Sequence, residues 1–215
     1  MKNQILKFLF AFVLFGFQSF IFGQKIDDKS KNILNAVTSY YKSQKNSYFK
    51  FSYATGTSSK ITKTETGTFY SQNEKYRLKI METEQIFDGN KVYNINEEDK
   101  EITISKPSDN QNIFSPLSYL ESYKKDYNVS YSGKKNISGI AVDIIKMTPT
   151  KSNGLKNVTL YINSPQKKLI KLEQLSQNND LAVITISDYK ENQKLPLSLF
   201  SFDKTKYQNY LVTEL

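Results

Sequence analysis

The sequence predicts a mainly β protein with a small α-helical part, and three observations lead to this prediction. One amphipathic helical pattern stands near the N-terminus of the 215 residues, and a shorter one interrupts the chain once. Most of the remaining chain alternates apolar and polar residues with a period of two, which is typical of half-buried strands. Short turns rich in Gly, Asn and Asp separate these stretches, so we expect one long, curled antiparallel sheet.

Residues 27–45 are predicted to form the first helix. Asp27 or Asp28 can cap its N-terminus by accepting a hydrogen bond from a backbone N–H group of the first turn. The apolar residues of this stretch recur at offsets of one, three and four, so they lie along one side of a helix. They are Ile33, Leu34, Val37, Tyr40 and Tyr41.

A second, short helix is predicted over residues 116–123. Ser115 and Pro116 are of the types favoured at the N-cap and at the first helical position. Leu117, Leu120 and Tyr123 would form its apolar side, and we expect this helix to lie across the sheet.

Twelve alternating stretches predict strands, six before and six after the short helix. Residues 207–215 are predicted to be a tail without strand structure. The predicted strands are 49–53, 61–70, 76–80, 84–87, 91–95, 101–105, 129–131, 140–144, 158–162, 169–175, 181–189 and 199–203.

The first 23 residues have the composition of an export signal. Lys2 and Lys7 precede or flank an apolar run over residues 8–22, and the small residue Gly23 follows it. The run is shorter than the roughly 20 residues that span a bilayer, although a retained membrane anchor is the alternative. We therefore predict a signal peptide over residues 1–23, cleavage after Gly23, a periplasmic protein and a single domain over residues 24–215.

The charge of the predicted mature chain does not indicate a nucleic-acid partner. Loss of Lys2 and Lys7 lowers the formal net charge from +9 to about +7, and the remaining lysines are scattered. A weak attraction to anionic lipid surfaces or solubility alone would account for this excess.

The composition also argues against an enzyme. The chain has no His and no Cys, so it offers no imidazole base, no thiolate nucleophile and no zinc site of the usual ligand types. Asp and Glu residues such as Asp88, Asp99 and Glu191 lie in Lys-rich turns, and no Gly-rich phosphate loop is present. We therefore expect neither catalytic residues, nor a metal, nor a cofactor.

The predicted sheet has one apolar face that two short helical pieces cannot fully cover. It either closes around a packed core or curls around a cavity, and the alternation alone does not separate these possibilities. Seven residues are interpreted as candidates for a lipid-binding cavity, with a plain core as the alternative. They are Phe49, Phe51, Phe69, Leu78, Ile80, Leu117 and Leu120.

Four stretches, taken in order, resemble the LolA family of periplasmic outer-membrane lipoprotein carriers. A helix leads into the aromatic pair Phe49 and Phe51. A glycine-led strand at 67–70 precedes the triplet 76–78. Residues 85–95 match the family's Asp-Gly hairpin, and residues 155–162 precede a further turn and strand. The resemblance covers most of the predicted mature chain.

The resemblance implies an incomplete, unclosed antiparallel β-barrel with helices covering its mouth. It also implies a monomeric carrier that holds the acyl chains of lipoproteins and carries them from the inner to the outer membrane. An ATP-driven inner-membrane transporter would load it, and a separate outer-membrane receptor is left open. The alternative is a related lipid-, glycolipid- or lipoprotein-sensing module on the same fold.

This sequence departs from the family at one turn. Many members carry Arg-Pro between the second and third strands, where the Arg bonds carbonyl groups of the helical lid. Residues 72–75 here read Gln-Asn-Glu-Lys, and Arg77 belongs to the next predicted strand. We therefore expect the short helix to be held mainly by apolar contacts of Leu117, Leu120 and Tyr123.

Overall fold

A computed structural model describes residues 24–107 and 118–215. The predicted signal peptide, its cleavage site, the Ser115–Pro116 helix start and the candidate Leu117 lie outside the described residues.

The first helix forms where the apolar pattern predicts it. Helix α1 spans Asp28–Ser43, and the Asp27 side chain caps it by accepting a hydrogen bond from the Ser30 N–H group. Leu34, Val37 and Tyr41 are buried on one side of this helix, as the spacing predicts. Helix α2 spans Ser118–Asp126 and is followed directly by a strand.

Twelve strands of the described residues form one sheet in the order β12-β6-β5-β4-β3-β2-β1-β11-β10-β9-β8-β7. All neighbours are antiparallel except β12, which runs parallel to β6. The strands are β1 Asn46–Thr57, β2 Lys60–Gln72, β3 Lys75–Ile80, β4 Thr83–Phe87, β5 Val92–Asn96, β6 Glu101–Ser105, β7 Tyr127–Ile137, β8 Ile140–Pro149, β9 Leu155–Asn163, β10 Lys168–Ser176, β11 Asp180–Glu191 and β12 Leu211–Glu214.

The two outermost strands, β7 and β12, do not pair with each other, so the sheet stays open. The predicted incomplete antiparallel β-barrel is thereby confirmed. β1 lies in the middle of the sheet, where it pairs with β2 on one side and with β11 on the other.

One face of the sheet, called the inner face here, packs against both helices. Phe49 of β1, Phe69 of β2 and Leu172 of β10 contribute to this core together with Leu34 of α1 and Leu120 of α2. All five side chains are buried. The main core therefore lies between the inner face and the helices, because both present their apolar side there.

The opposite, outer face carries a second apolar cluster over β4, β5 and β6. Ile86, Ile95 and Ile102 are buried there under Phe202 and Tyr207 of the C-terminal segment. On β4 the neighbouring residue Gln85 consequently points to the inner face, since successive side chains of a strand alternate. These strands thus carry apolar residues on both faces, since Phe87 of β4 packs against the main core on the inner face.

Two predictions for the C-terminal segment are wrong, the strand over residues 199–203 and the tail without strand structure over residues 207–215. Residues 199–203 do not form a strand, because Leu197–Phe200 is a 3-10 helix and the following residues are irregular. The predicted tail contains a second 3-10 helix, Lys204–Tyr207, and then β12, which pairs with β6. Within the described residues, no helix is both long enough and apolar enough to cross a bilayer.

Candidate functional site

An open pocket of about 540 Å³ lies at one end of the inner face. Its walls come from the ends of β1, β2, β9, β10 and β11, next to the β1–β2 and β10–β11 turns. The lining is mixed, with apolar side chains beside uncharged polar groups and one carboxylate. The lining residues are Tyr53, Thr55, Gly56, Thr57, Thr62, Leu155, Gln174, Ser176, Asp180, Leu181 and Ala182.

The pocket continues the alternation that builds the main core. Tyr53 is two residues beyond the buried Phe51 on β1, and Gln174 is two residues beyond the buried Leu172 on β10. Tyr53 and Leu155 also pack against the main core. The open pocket and the closed core are therefore consecutive parts of one face, and the core ends where smaller and more polar residues begin.

The structure brings six of the seven predicted site residues together on this face. Phe49, Phe51, Phe69, Leu78 and Leu120 are buried members of the main core, and Ile80 is half-buried against it. None of these six lines the pocket of 540 Å³. They are packed against one another and the helices, so their role in lipid binding stays a prediction.

Sequence reasoning did not single out the residues of the pocket. Tyr53 belongs to the predicted strand 49–53, but Gln174 and Ala182 carry no apolar signal that would mark a binding site. The signal that could have identified Gln174 and Ala182 is their position along their strands. Both residues continue the inner-face alternation of their strands toward a turn, where side chains face an open end of the sheet.

Helix α2 is fixed over the inner face by polar contacts as well as apolar ones. The Thr38 hydroxyl of α1 donates a hydrogen bond to the Leu120 carbonyl over 2.9 Å. The Tyr123 hydroxyl donates to the Asn35 side-chain oxygen over 2.8 Å, and the Tyr123 ring is buried. The expectation of mainly apolar contacts for this helix is thus incomplete, because neutral hydroxyl groups also attach it to α1.

Tyr119 connects α2 to the strands beside the pocket. Its hydroxyl oxygen accepts a hydrogen bond of 2.5 Å from the side-chain amide of Gln174, which lines the pocket. Its ring meets Tyr127 edge-on, with 5.9 Å between ring centroids. Burial raises the pKa of Tyr119 to about 12, so its hydroxyl is neutral at physiological pH. A hydrogen bond between neutral groups, such as this one, costs less to break than a hydrogen bond to a charged group.

Arg77 is not part of this helix attachment. Its guanidinium pairs with the buried Glu84 carboxylate on the adjacent strand and donates to the Leu199 carbonyl over 3.2 Å. Leu199 belongs to the C-terminal segment on the outer face. The expectation that Arg77 need not replace the family's turn arginine is consistent with this position.

The described residues contain no cluster of metal-binding side chains. No group of three or more Asp, Glu, His or Cys side chains among them could hold a metal ion. The carboxylate of the pocket, Asp180, comes within 3.3 Å of the Ser176 hydroxyl, with which it shares the turn between β10 and β11. The arrangement can enclose an apolar or amphiphilic molecule by contact and hydrogen bonding.

The fold and the site define an open β-barrel protein whose inner face packs against two helices and ends in a pocket lined by five strands. The family model of the outer membrane lipoprotein carrier protein LolA matches residues 48–203. The chain therefore belongs to the LolA family, and it is a LolA-like module. Members of this family are described as carrier proteins.

A comparison with solved structures finds a similar fold in another protein. An uncharacterized conserved protein from Thermus thermophilus has a TM-score of 0.60 and 11% identity, covering 87% of this chain and 99% of its own. This similarity shows a shared fold. A search of the curated proteins finds no match to this chain.

Two further solved structures are similar over comparable lengths. LprF from Mycobacterium bovis has a TM-score of 0.48 and 15% identity, covering 79% of this chain and 97% of its own. A LolA superfamily protein from Nitrosomonas europaea has a TM-score of 0.43 and 13% identity, covering 80% and 97%.

Proposed function

We propose that this protein is a periplasmic carrier that binds the acyl chains of lipoproteins and moves them from the inner to the outer membrane. Membership of the LolA family, over residues 48–203, is the observation that carries the proposal. The predicted partners follow from the same membership: acylated lipoproteins as cargo and an ATP-driven inner-membrane transporter as the source. The need for a separate outer-membrane receptor is left open.

The pocket gives the acyl chains a point of entry. Its volume of about 540 Å³ falls within the roughly 300–1,000 Å³ of pockets that hold small ligands. Leu155, Leu181 and Ala182 supply apolar walls. Each methylene group taken out of water contributes about 0.8 kcal/mol, so even part of one chain would bind measurably in such a pocket.

The main core next to the pocket would take the rest of the chains. Phe49, Phe51, Phe69, Leu78 and Ile80 are the predicted contacts, and they belong to or pack against the same core cluster as Leu120 of α2. Acyl chains would replace the contacts between helices and sheet with contacts of the same apolar kind. Movement of α2 is the simplest way to open this space, because neutral hydrogen bonds attach it to α1.

A substitution that fills the pocket tests the proposal. In Ala182→Trp, the indole would occupy the pocket and should lower the affinity for a fluorescent fatty acid or a triacylated lipopeptide by about tenfold. Ala141→Trp, on the exposed end of β8, is the matched control and should bind like the unchanged protein. Equal affinity in all three proteins would contradict entry through this pocket.

A lipid-sensing module on the same fold is the alternative function. Both functions require acyl binding, but a carrier must also release its cargo to a membrane. Transfer of a labelled lipopeptide from the loaded protein to lipid vesicles, followed over time, separates the two functions. Retention of the lipopeptide in the presence of excess vesicles would favour the sensor.

A further inference from the structure

Strand β2 extends well beyond its neighbour β3. Residues of β2 pair with β1 along the whole strand, from Lys60 to Gln72. The pairing with β3 begins only at Gly67, opposite Ile80, because the chain turns away into β4 at that point. Among the described residues, no strand lies beside residues 60–66 on this side, and we call this stretch the open edge of β2.

The open edge can accept another strand. Strand edges with unpaired N–H and C=O groups bind extended peptides by continuing the sheet. Residues 60–66 contain no Pro or Gly, and three of the seven are Thr, a residue favoured in strands. All but Glu65 are exposed, and among the described residues no strand pairs with this edge. The register shift between β1 and β2 lies near the hairpin tip, beside Thr55 and Gly56.

The charges of the open edge favour an acidic partner. Lys60 and Lys63 are exposed, and the Lys63 ammonium pairs with Glu65 on the same strand. It also lies 3.8 Å from the Met81 sulfur, in the turn that ends β3. Glu82 follows in that turn, so acidic side chains of a partner should lie toward Lys60 rather than toward Glu82. A second copy of this basic chain, with a formal net charge of about +7 after loss of the predicted signal peptide, would be repelled.

We propose that an extended peptide segment with acidic side chains binds along the open edge of β2. It would run antiparallel to β2 and continue the line of β3 beyond Ile80. Seven residues span about 23 Å in a strand, which sets the length of the peptide. Thr62 belongs to both the open edge and the pocket lining, so the peptide would follow the rim of the pocket. This inference goes beyond the proposed function, because it does not require acyl binding.

The first experiment uses unacylated peptides, so that lipid binding cannot contribute. A fluorescein-labelled peptide of about eight residues, with Asp or Glu alternating with Thr or Val, is compared with one that has Lys at the acidic positions. Fluorescence anisotropy should show binding of the acidic peptide, weakening as salt is raised. Equal binding of both peptides would overturn the charge argument.

Charge reversal of the edge supplies the matched variants. Lys60→Glu with Lys63→Glu should lower the affinity for the acidic peptide by about tenfold and favour the basic one. Lys151→Glu with Lys156→Glu, two exposed lysines near the same end of the sheet, should leave the preference unchanged. A similar loss in both variants would mean that total charge, and not the open edge, governs binding.

Backbone amide exchange locates the bound peptide. Those N–H groups of residues 60–66 that do not bond to β1 should become protected when the acidic peptide is added, and the fluorescent fatty acid should still bind to the charge-reversed variant. Binding without protection of residues 60–66 would place the peptide elsewhere and overturn the proposal. Protection that instead rises with protein concentration, in the absence of peptide, would show that a second copy occupies the edge.

Discussion

The ring of Phe51 packs directly onto Gly67, its partner in the neighbouring strand. The two residues are opposite each other in the pairing of β1 with β2. A Cβ atom at residue 67 would lie 2.4 Å from the Phe51 Cζ atom and 2.8 Å from the Lys79 carbonyl oxygen. Glycine weakens a strand in general, but here it gives a large aromatic ring the space to reach the main core.

Replacement of Gly67 by Ala should destabilise the protein. Because the added methyl group meets both a ring and a backbone carbonyl, we expect a loss of about 1–3 kcal/mol in the free energy of unfolding. Urea denaturation followed by circular dichroism measures it. The exposed neighbour substitution Thr66→Ala is the control. Combining Gly67→Ala with Phe51→Leu should recover part of the loss, and strict additivity would contradict the contact.

Removal of Arg77 should destabilise the sheet and loosen the C-terminal segment. Arg77→Leu would leave the Glu84 carboxylate, whose side chain is 4% exposed, without its charged partner. Loss of such a partner costs about 3–5 kcal/mol. The variant also loses the bond to the Leu199 carbonyl, so protease cleavage around residues 192–203 should become faster.

Lys79→Ala provides the comparison for Arg77, since its ion pair with Glu97 is exposed and contributes only about 0–1 kcal/mol. An equal loss of stability in the two variants would contradict the role of the buried pair.

Loss of the Thr38 hydroxyl should weaken the attachment of α2. Thr38→Val keeps the shape of the side chain but removes the hydrogen bond to the Leu120 carbonyl, at a cost of about 0.5–1.5 kcal/mol. If α2 moves to admit acyl chains, the association rate of a fluorescent fatty acid should increase. Thr38→Ser retains the hydroxyl and should behave like the unchanged protein. An unchanged rate in Thr38→Val would mean that α2 does not limit entry.

Ionisation of Tyr41 should lower the stability of the protein at alkaline pH. Burial raises its pKa to about 12, above its usual value of 10.0, and its hydroxyl oxygen accepts a hydrogen bond from the Leu169 N–H group. Below pH 10 the Tyr41 phenol is protonated in both the folded and the unfolded protein, so its contribution to the stability is fully present. Between pH 10 and about 12 the unfolded chain releases the Tyr41 proton first, and the contribution of Tyr41 to the free energy of unfolding falls by about 1.4 kcal/mol per pH unit.

Tyr41→Phe tests this pH dependence. The variant should be less stable at pH 8, because the buried Leu169 N–H group loses its acceptor. Its stability should also fall less steeply between pH 10 and 12 than that of the unchanged protein. Urea denaturation at pH 8, 10 and 11.5 measures both effects. Parallel curves for the two proteins would contradict the assignment to Tyr41.

Much of the fold could be predicted from the sequence, because the local patterns agree with the tertiary structure. The helix predicted over residues 27–45 forms as Asp28–Ser43, since its capping Asp27 and its apolar side both act locally. The hairpin around residues 88–91 forms for a similar reason: Asp88 accepts hydrogen bonds from the N–H groups of Asn90 and Lys91. Such signals lie within a few residues of one another.

Features that depend on distant residues could not be predicted in the same way. Alternation shows that Ile86 and Ile95 share a face, but it does not show which face of the sheet, so their cover by Phe202 was missed. β12 was missed because its four residues pair with β6, more than 100 residues away. The pocket was missed because it exists only where the ends of five strands meet, and its polar members resemble ordinary turn residues.

The central position of β1 makes the sheet late to assemble. β1 pairs with β11 from Ser47 opposite Glu191 to Thr57 opposite Asp180, so the two halves of the sheet join through segments at opposite ends of the chain. Closing so large a loop is entropically costly, and contacts of this kind slow folding. Because the N-terminus is synthesised first, this seam cannot form until β11 has followed. Until then, one edge of β1 stays unpaired in the first half of the sheet. Aggregation is most favoured at this stage, and a chaperone would be most useful there.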